Sequence, residues 1–177
     1  MRTSVTPSFP AAPLPEPEKV TSKDIVAELY RYTSRHPVTL TEKLAFLNCY
    51  VTADFVAVTK AGQVFEYEVK VSRTDYLRER KKRRHAIYSG GKPHLDRRPK
   101  PNRFWIVAPP GVVKPKDEDP DDLLGYAGLI EYDHAAPEGS RLTIRRKAPT
   151  LRKESFAWDE ISCLAAAMKA RRPKALF

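Results

Sequence analysis

The fold and the candidate site can both be approached from residues 64–71, whose sequence is Val-Phe-Glu-Tyr-Glu-Val-Lys-Val. Valine and aromatic residues at this density predict a β-strand. Side chains alternate between the two faces of a strand, so Glu66, Glu68 and Lys70 share one face while the aromatic residues share the other. Burying two carboxylates and an ammonium is costly unless the charges neutralise one another or bind a metal ion. The run therefore predicts one core-facing side and one side with a chemical role.

The residues before this run complete a predicted β-hairpin. A second strand candidate spans 53–59, and Lys60-Ala61-Gly62 connects the two strands. A three-residue hairpin loop needs a left-handed last residue, which Gly62 supplies. Counting back from this loop places Asp54 opposite Glu68. The alternative interpretation is a surface hairpin with a solvated polar face.

An opposed pair of carboxylates suggests a metal site. Directly opposed Cβ atoms lie roughly 4.5–5.5 Å apart, and like charges at that distance are destabilising unless a cation lies between them. Hard oxygen ligands on adjacent strands suit Mg²⁺ or Mn²⁺. Asp54 and Glu68 are therefore candidate ligands, and Lys70, on the same face, could reach a phosphate or a water.

Composition favours one globular domain with a polyanionic partner. The chain has 177 residues, of which 41% are hydrophobic, and a net charge of +10. Such a charge is typical of nucleic-acid binding, although it also serves solubility. Five prolines predict a disordered tail over residues 1–19, followed by a single domain over 20–177. No apolar run reaches the ~18 residues of a membrane span, so we expect a cytoplasmic protein without membrane contact.

A basic helix is predicted after the hairpin. Ser72 to Asp75 has capping-box spacing, and Gly90-Gly91 would end the helix after about Ser89. Crowded cations repel one another, which favours a phosphate-facing role over a solvated face. The candidate DNA-binding residues are Arg73, Arg78, Arg80, Lys81, Lys82, Arg83, Arg84 and His85.

The remaining segments predict further helices and strands. A first helix is expected at 23–34, a strand and turn at 38–50, and strands at 103–108, 127–132 and 142–144. A helix from about 155 to 171 would pack Trp158 and Ile161 into the core. Glu42 could be an additional acid of the site or an exposed edge charge, while Glu28 is interpreted as a solvated helix residue. The acidic loop 117–122 is interpreted as solvated.

Asp54, followed fourteen residues later by Glu68-Val69-Lys70, resembles the signature of the PD-(D/E)XK nuclease superfamily. Ala53 stands where the signature has proline. A closer similarity, over about residues 38–153, is to small bacterial and phage proteins of the MmcB-like group. The segments that carry it are 53–58, 67–76, 81–88, 102–109, 126–130 and 146–149.

The resemblance implies a restriction-endonuclease-like α/β fold, with a central mixed sheet flanked by helices, and a Mg²⁺-dependent nuclease or nuclease-like DNA repair protein. It implies Asp54, Glu68 and the Val69 carbonyl as metal ligands, with Glu42 as an additional acid, and Lys70 as the catalytic lysine. His85 and Tyr88 match a recurring polar pair on the following helix. Many such nucleases act as homodimers, in the cytoplasm of a bacterium or a phage-infected host.

Three functions remain open at this point. The first is a metal-dependent DNA endonuclease of repair, recombination or phage DNA processing, which the intact Asp54, Glu68 and Lys70 favour. The alternative is a nuclease-fold accessory protein that binds DNA without cutting it. An RNA-binding basic protein is the third, although no signature of stacking aromatic residues supports it.

Overall fold

The computed structural model describes residues 19–45, 52–82, 84–89, 100–114 and 125–162. This part of the chain contains three helices and six strands, and a further helical turn spans residues 158–162. In chain order the elements are α1 Ser22–Tyr32, β1 Val38–Ala45, β2 Thr52–Val58, β3 Val64–Val69, α2 Arg73–Glu79, α3 Arg84–Tyr88, β4 Arg103–Ala108, β5 Gly128–Tyr132 and β6 Leu142–Arg146.

The six strands form one mixed sheet in the order β1-β2-β3-β4-β5-β6. β1 is antiparallel to β2 and β2 is antiparallel to β3, while β3, β4 and β5 run parallel to one another. β6 is antiparallel to β5. The parallel step from β3 to β4 requires a crossover, which α2 and α3 provide. The predicted α/β class with a mixed sheet and flanking helices is confirmed.

The predicted register of the β2–β3 hairpin is also confirmed. Phe55 pairs with Tyr67 and Val58 with Val64, so the next pair in the same register is Asp54 with Glu68. Gly62 has a φ of 72°, the left-handed conformation that the loop needs. A Cβ at this position would lie 2.6 Å from the carbonyl oxygen of Phe156, so close packing also requires the glycine.

Helices cover both faces of the sheet. On one face, Ile25 and Leu29 of α1 pack in a buried cluster with Phe55, Tyr67 and other apolar strand residues. On the other face, residues of α2 and α3 pack with Phe104 and Ile106 of β4. The segment around Phe156 and Ile161 covers the β2–β3 hairpin. The polar face of β3 thus lies inside the molecule, beneath α2 and α3.

Several predictions about individual elements need correction. The single helix expected to reach Ser89 is divided into two, since α2 ends at Glu79 and α3 begins at Arg84. Trp158 is 52% exposed, whereas Ile161 is buried as expected. Glu28 is 1% exposed rather than solvated, since Arg31 and the Gly139 amide contact its carboxylate.

Some predictions fall outside the described residues. They concern nearly all of the tail 1–19, Arg83, the acidic loop 117–122 and the later part of the C-terminal helix. In the part of the chain that is described, no helix has the length and apolar character of a membrane span.

Candidate active site

Asp54 lies at the end of the hairpin that is remote from the Gly62 loop. Its Oδ2 accepts a hydrogen bond from the backbone amide of Val69, at 2.9 Å, which fixes the carboxylate against β3. On its other edge, β2 pairs with β1, and the register of this pairing shifts between Thr41 and Leu44. Two residues of β1, Glu42 and Lys43, therefore lie opposite Asp54 of β2. Such bulges often re-aim side chains beside active sites. The backbone of Glu42 is therefore next to Asp54, but its side chain lies outside the described part.

Glu68 is buried, with 2% of the residue exposed. Its Oε1 accepts from Lys70 Nζ and from Lys82 Nζ, each at 2.7 Å, and its Oε2 lies 3.0 Å from a guanidinium nitrogen of Arg84. Three cations therefore surround this one carboxylate. Without them, a charge in this position would carry a large desolvation penalty.

The pKa of Glu68 is nevertheless raised to about 7. Burial is the main cause, the nearby negative charges of Asp54 and Glu79 add to it, and Arg84 opposes it. Burial disfavours the charged form of this carboxyl, and the two neighbouring acids add to the effect. A bound divalent cation would favour the charged form.

Lys70 lies between two carboxylates. Its Nζ is 2.7 Å from Glu68 Oε1 and 3.0 Å from Glu79 Oε2, and only 4% of its side chain is exposed. Burial alone would lower the pKa of Lys70, but the charges of Glu68 and Glu79 outweigh it and the pKa is raised. Lys70 is therefore an ammonium at neutral pH, suited to stabilising negative charge rather than to accepting a proton.

Glu79 is a site residue that the sequence analysis missed. It ends α2, its side chain is fully buried, and it contacts Lys70, Lys82 at 2.5 Å, Arg84 at 3.2 Å and His85 at 3.1 Å. Burial by itself would raise the pKa of Glu79, but the hydrogen bond from His85 and the surrounding cations lower it far below the usual range. A signal for it existed in the sequence. Glu79 follows the buried Tyr76 by three residues, which places it on the same helix face.

Arg84 and His85 do not lie on a phosphate-facing surface, which corrects their assignment as DNA-binding residues. Each is 1% exposed. The Arg84 guanidinium contacts Glu66, Glu68 and Glu79 and lies over the ring of Phe104. His85 contacts Glu79 through Nε2 and the Tyr126 hydroxyl through Nδ1. Arg84 neutralises the buried carboxylates, and the contact with His85 orders Glu79.

The second carboxylate of the strand, Glu66, belongs to this interior network. It accepts from Arg84 and, at 2.6 Å, from the Tyr88 hydroxyl. Burial raises the pKa of Glu66 in spite of the Arg84 charge. Glu66 is thus held by helix residues. Glu68, two residues further along the same face of β3, contacts this network and also lines the cavity.

A cavity of about 740 Å³ brings the predicted catalytic residues together. It lies between the first turn of α1, the adjacent ends of β1 to β3 and the start of α2. The charged side chains that line it are Lys23, Asp54, Glu68, Lys70, Asp75 and Lys82. Asp54 and Glu68 therefore open onto the same space, as the hairpin register predicts.

The remaining candidate DNA-binding residues have varied surroundings. Arg78 and Lys81 are exposed, and Lys82 and Arg80 are partly exposed. Arg73 donates to the carbonyl oxygen of Val112 at 3.1 Å, with its guanidinium over the ring of Tyr76. Exposed positive charge therefore remains on α2 and on the turn that follows it, which also carries the cavity-lining Lys82.

The donor set fits a hard divalent cation, with few protein ligands. Asp54, Glu68 and the Val69 carbonyl offer oxygen donors, the class that Mg²⁺ and Mn²⁺ prefer. Among the described residues, no group of three or more His, Cys, Asp or Glu side chains is placed to hold a metal. Mg²⁺ keeps several waters and often uses only one or two carboxylates together with substrate phosphates.

Comparisons with known proteins add little to this geometry. No family model and no curated protein matches the chain. One similar solved structure is a protein of unknown function from Silicibacter pomeroyi. It is 20% identical, with a TM-score of 0.47 over 81% of this chain and 85% of the other. Function therefore has to be argued from the site.

Proposed function

We propose that this protein is a metal-dependent DNA endonuclease with a restriction-endonuclease-like fold. The observation that carries the proposal is the convergence of Asp54, Glu68 and Lys70, from two adjacent strands, on one cavity. Two acids that can hold a metal ion and a lysine that can stabilise negative charge are suited to phosphodiester hydrolysis. The net charge of +10 on the chain favours binding of a polyanion such as DNA. The proposed setting is DNA repair, recombination or phage DNA processing, and a homodimer stays a prediction.

Asp54, Glu68 and the Val69 carbonyl would hold Mg²⁺ or Mn²⁺. A bound ion of this kind supplies a Lewis acid for the phosphoryl oxygen and lowers the pKa of a coordinated water. The backbone hydrogen bond from Val69 orients Asp54 for this role. Arg84 and the helix network orient Glu68 from behind.

Lys70 would act as a fixed positive charge. Its ammonium donates to a non-bridging phosphate oxygen or to the attacking water, and stabilises the negative charge that develops in the transition state. Its raised pKa keeps it protonated, so the proton of the attacking water has to pass to another acceptor. The cavity-lining Lys23 and the exposed Lys81, next in sequence to the cavity-lining Lys82, would position the DNA backbone without reading its sequence.

A cleavage assay tests this function. Purified protein is incubated with branched, nicked, single-stranded and duplex DNA in Mg²⁺ or Mn²⁺, and products are resolved on denaturing gels. We expect cleavage of at least one substrate, and its loss in Asp54→Ala, Glu68→Ala and Lys70→Ala. Glu131→Gln is the matched control, because Glu131 is a strand carboxylate that does not line the cavity.

Two results would contradict the proposal. If the wild-type protein binds DNA but cuts none of the substrates in either metal, the accessory-protein function replaces the endonuclease. If the wild type cuts and Lys70→Ala cuts equally well, the chemistry lies elsewhere in the chain.

A further inference from the structure

Four side chains of the candidate site form a closed ring of ion pairs. Lys70 Nζ lies 2.7 Å from Glu68 Oε1 and 3.0 Å from Glu79 Oε2. Lys82 Nζ lies 2.7 Å from the same Glu68 oxygen and 2.5 Å from the same Glu79 oxygen. Since Arg84 contacts the other Glu68 oxygen, both oxygens of this carboxylate already have cationic partners. A metal ion could bind Glu68 well only if one of these cations moved.

Lys82 is the cation best able to move. The side chains of Lys70 and Arg84 are 4% and 1% exposed, whereas that of Lys82 is 38% exposed. Lys82 lies in the turn between α2 and α3 and lines the cavity. Its long flexible stem allows the Lys82 ammonium to leave Glu68 for solvent. Lys70 and Arg84 are buried, so neither can reach solvent as easily.

A divalent ion carries one more positive charge than the Lys82 ammonium that it would replace. The carboxylates of Asp54, Glu66, Glu68 and Glu79 face the cations Lys70, Lys82 and Arg84. The half-exposed Asp75 adds a fifth carboxylate, 3.8 Å from Lys70 Nζ. Because carboxylates outnumber these cations, the cluster can accept Mg²⁺ or Mn²⁺ in place of Lys82.

We propose that Lys82 is an internal substitute for the metal ion. Its ammonium pairs with Glu68 when no ion is bound, and the ammonium and the metal ion exclude each other from that carboxylate. The inference rests on the proposed function, since it takes Glu68 as a metal ligand. Once displaced, the Lys82 ammonium lies beside the cavity, where a DNA phosphate is the anion it would pair with. Metal and DNA would then bind with positive coupling, because the ion releases a phosphate contact.

Metal binding without DNA tests the exclusion. Mn²⁺ affinity of the full chain is measured by electron paramagnetic resonance of the free ion, for the wild type, Lys82→Met and the exposed neighbour variant Lys81→Met. Methionine keeps the apolar stem and removes the charge. We expect Lys82→Met to bind Mn²⁺ about tenfold more tightly or better, the scale of one charge-assisted hydrogen bond, and Lys81→Met to match the wild type.

A second measurement needs no substitution. A brief pulse of an amine-acetylating reagent, followed by mass spectrometry, reports how accessible each lysine is. We expect Mn²⁺ to increase acetylation of Lys82 in the wild type and to leave Lys81 unchanged. The inference is overturned if the wild type and Lys82→Met bind Mn²⁺ equally well, or if Mn²⁺ leaves Lys82 acetylation unchanged. It is also overturned if no variant binds Mn²⁺. A protein that shows the expected Lys82 effects but cuts no DNA overturns the endonuclease function alone.

Discussion

Arg84 is the residue that the buried charges depend on most. It is 1% exposed, contacts Glu66, Glu68 and Glu79, and has its own pKa raised, because these carboxylates outweigh its burial. Removing one partner of a buried ion cluster leaves uncompensated charge, which costs about 3–5 kcal/mol. We expect Arg84→Met to lower the free energy of unfolding by that amount in urea titrations.

Arg78→Met is the control for this prediction, because Arg78 is an exposed arginine of the same helical region. We expect it to change the free energy of unfolding by no more than about 0.5 kcal/mol. If the two variants were equally stable, Arg84 would not be the counter-ion that its contacts indicate.

At the residue scale, the sequence predicts what backbone geometry dictates and misses what depends on distant packing. Asp54 and Glu68 could be paired in advance, because a glycine at the end of a three-residue loop sets the hairpin register. The spacing of Glu79 from Tyr76 indicates a shared helix face, but the partners of Glu79 and the role of Arg84 could not be predicted. A helix with many charges has the same pattern whether a given residue faces solvent or buried carboxylates. Only the position of α2 and α3 over β3 distinguishes these cases.

The contact between β4 and β5 depends on Gly128. A Cβ at this position would lie 2.2 Å from the Trp105 ring and 2.8 Å from the Ala148 Cβ, closer than such atoms can approach. The Trp105 ring is itself stacked on Tyr67, at 6.4 Å between ring centres, so it cannot shift without disturbing the core. We expect Gly128→Ala to cost about 1–3 kcal/mol by overpacking, measured by chemical denaturation. Thr143→Ala, at an exposed position of β6, should be near neutral, and equal effects of both would contradict the argument.

The start of α1 has a pH-dependent contribution to stability. Asp24 accepts hydrogen bonds from the Thr21 amide at 2.8 Å and the Thr21 hydroxyl at 2.7 Å, which lower its pKa from the ordinary 3.8. A carboxyl whose pKa is lowered by folding stabilises the fold above its unfolded pKa, and that contribution is lost as the pH falls through the folded value. We expect Asp24→Ala to unfold at a lower temperature than the wild type at pH 6, and the difference to narrow as the pH falls below 3.8. A difference that stays constant with pH would exclude this role.

Elements differ in how far the sequence determines them. β4 was predicted with its observed bounds, because a run of apolar residues ending in Pro109-Pro110-Gly111 has few alternatives. The helix after the hairpin was predicted as one element but is two. Its charges alone do not show that α3 turns inward, with Arg84, His85, Ile87 and Tyr88 buried.

At the scale of the whole molecule, the 32 lysine and arginine residues that give the net charge of +10 have two kinds of surroundings. Some, such as Lys70 and Arg84, neutralise buried acids and add nothing to the net charge. Others, such as Arg78 and Lys81, are exposed on α2 and on the turn that follows it. The strand patterns predicted individual strands, and the resemblance to a known family implied the mixed sheet. This division of charge could not be predicted, because it depends on which helix face the sheet covers.

The last prediction follows from that division. Arg78→Glu combined with Lys81→Glu should weaken DNA binding, because these side chains are exposed on α2 and on the turn that carries the cavity-lining Lys82, whereas Arg84 is buried. Each lost phosphate contact reduces the slope of log K against log salt concentration by about one, so the double variant should lose about two. Fluorescence anisotropy across a salt series measures both quantities.

The matched control is Lys60→Glu combined with Lys153→Glu, which makes the same change of net charge. Both lysines are exposed at the opposite end of the hairpin, Lys60 in its loop and Lys153 near the segment that contacts the loop at Gly62. If binding depended only on net charge, the two double variants would lose equal affinity and equal salt dependence. A specific interface beside the cavity requires the first to lose more of both, because a local phosphate contact releases counterions and a remote charge does not.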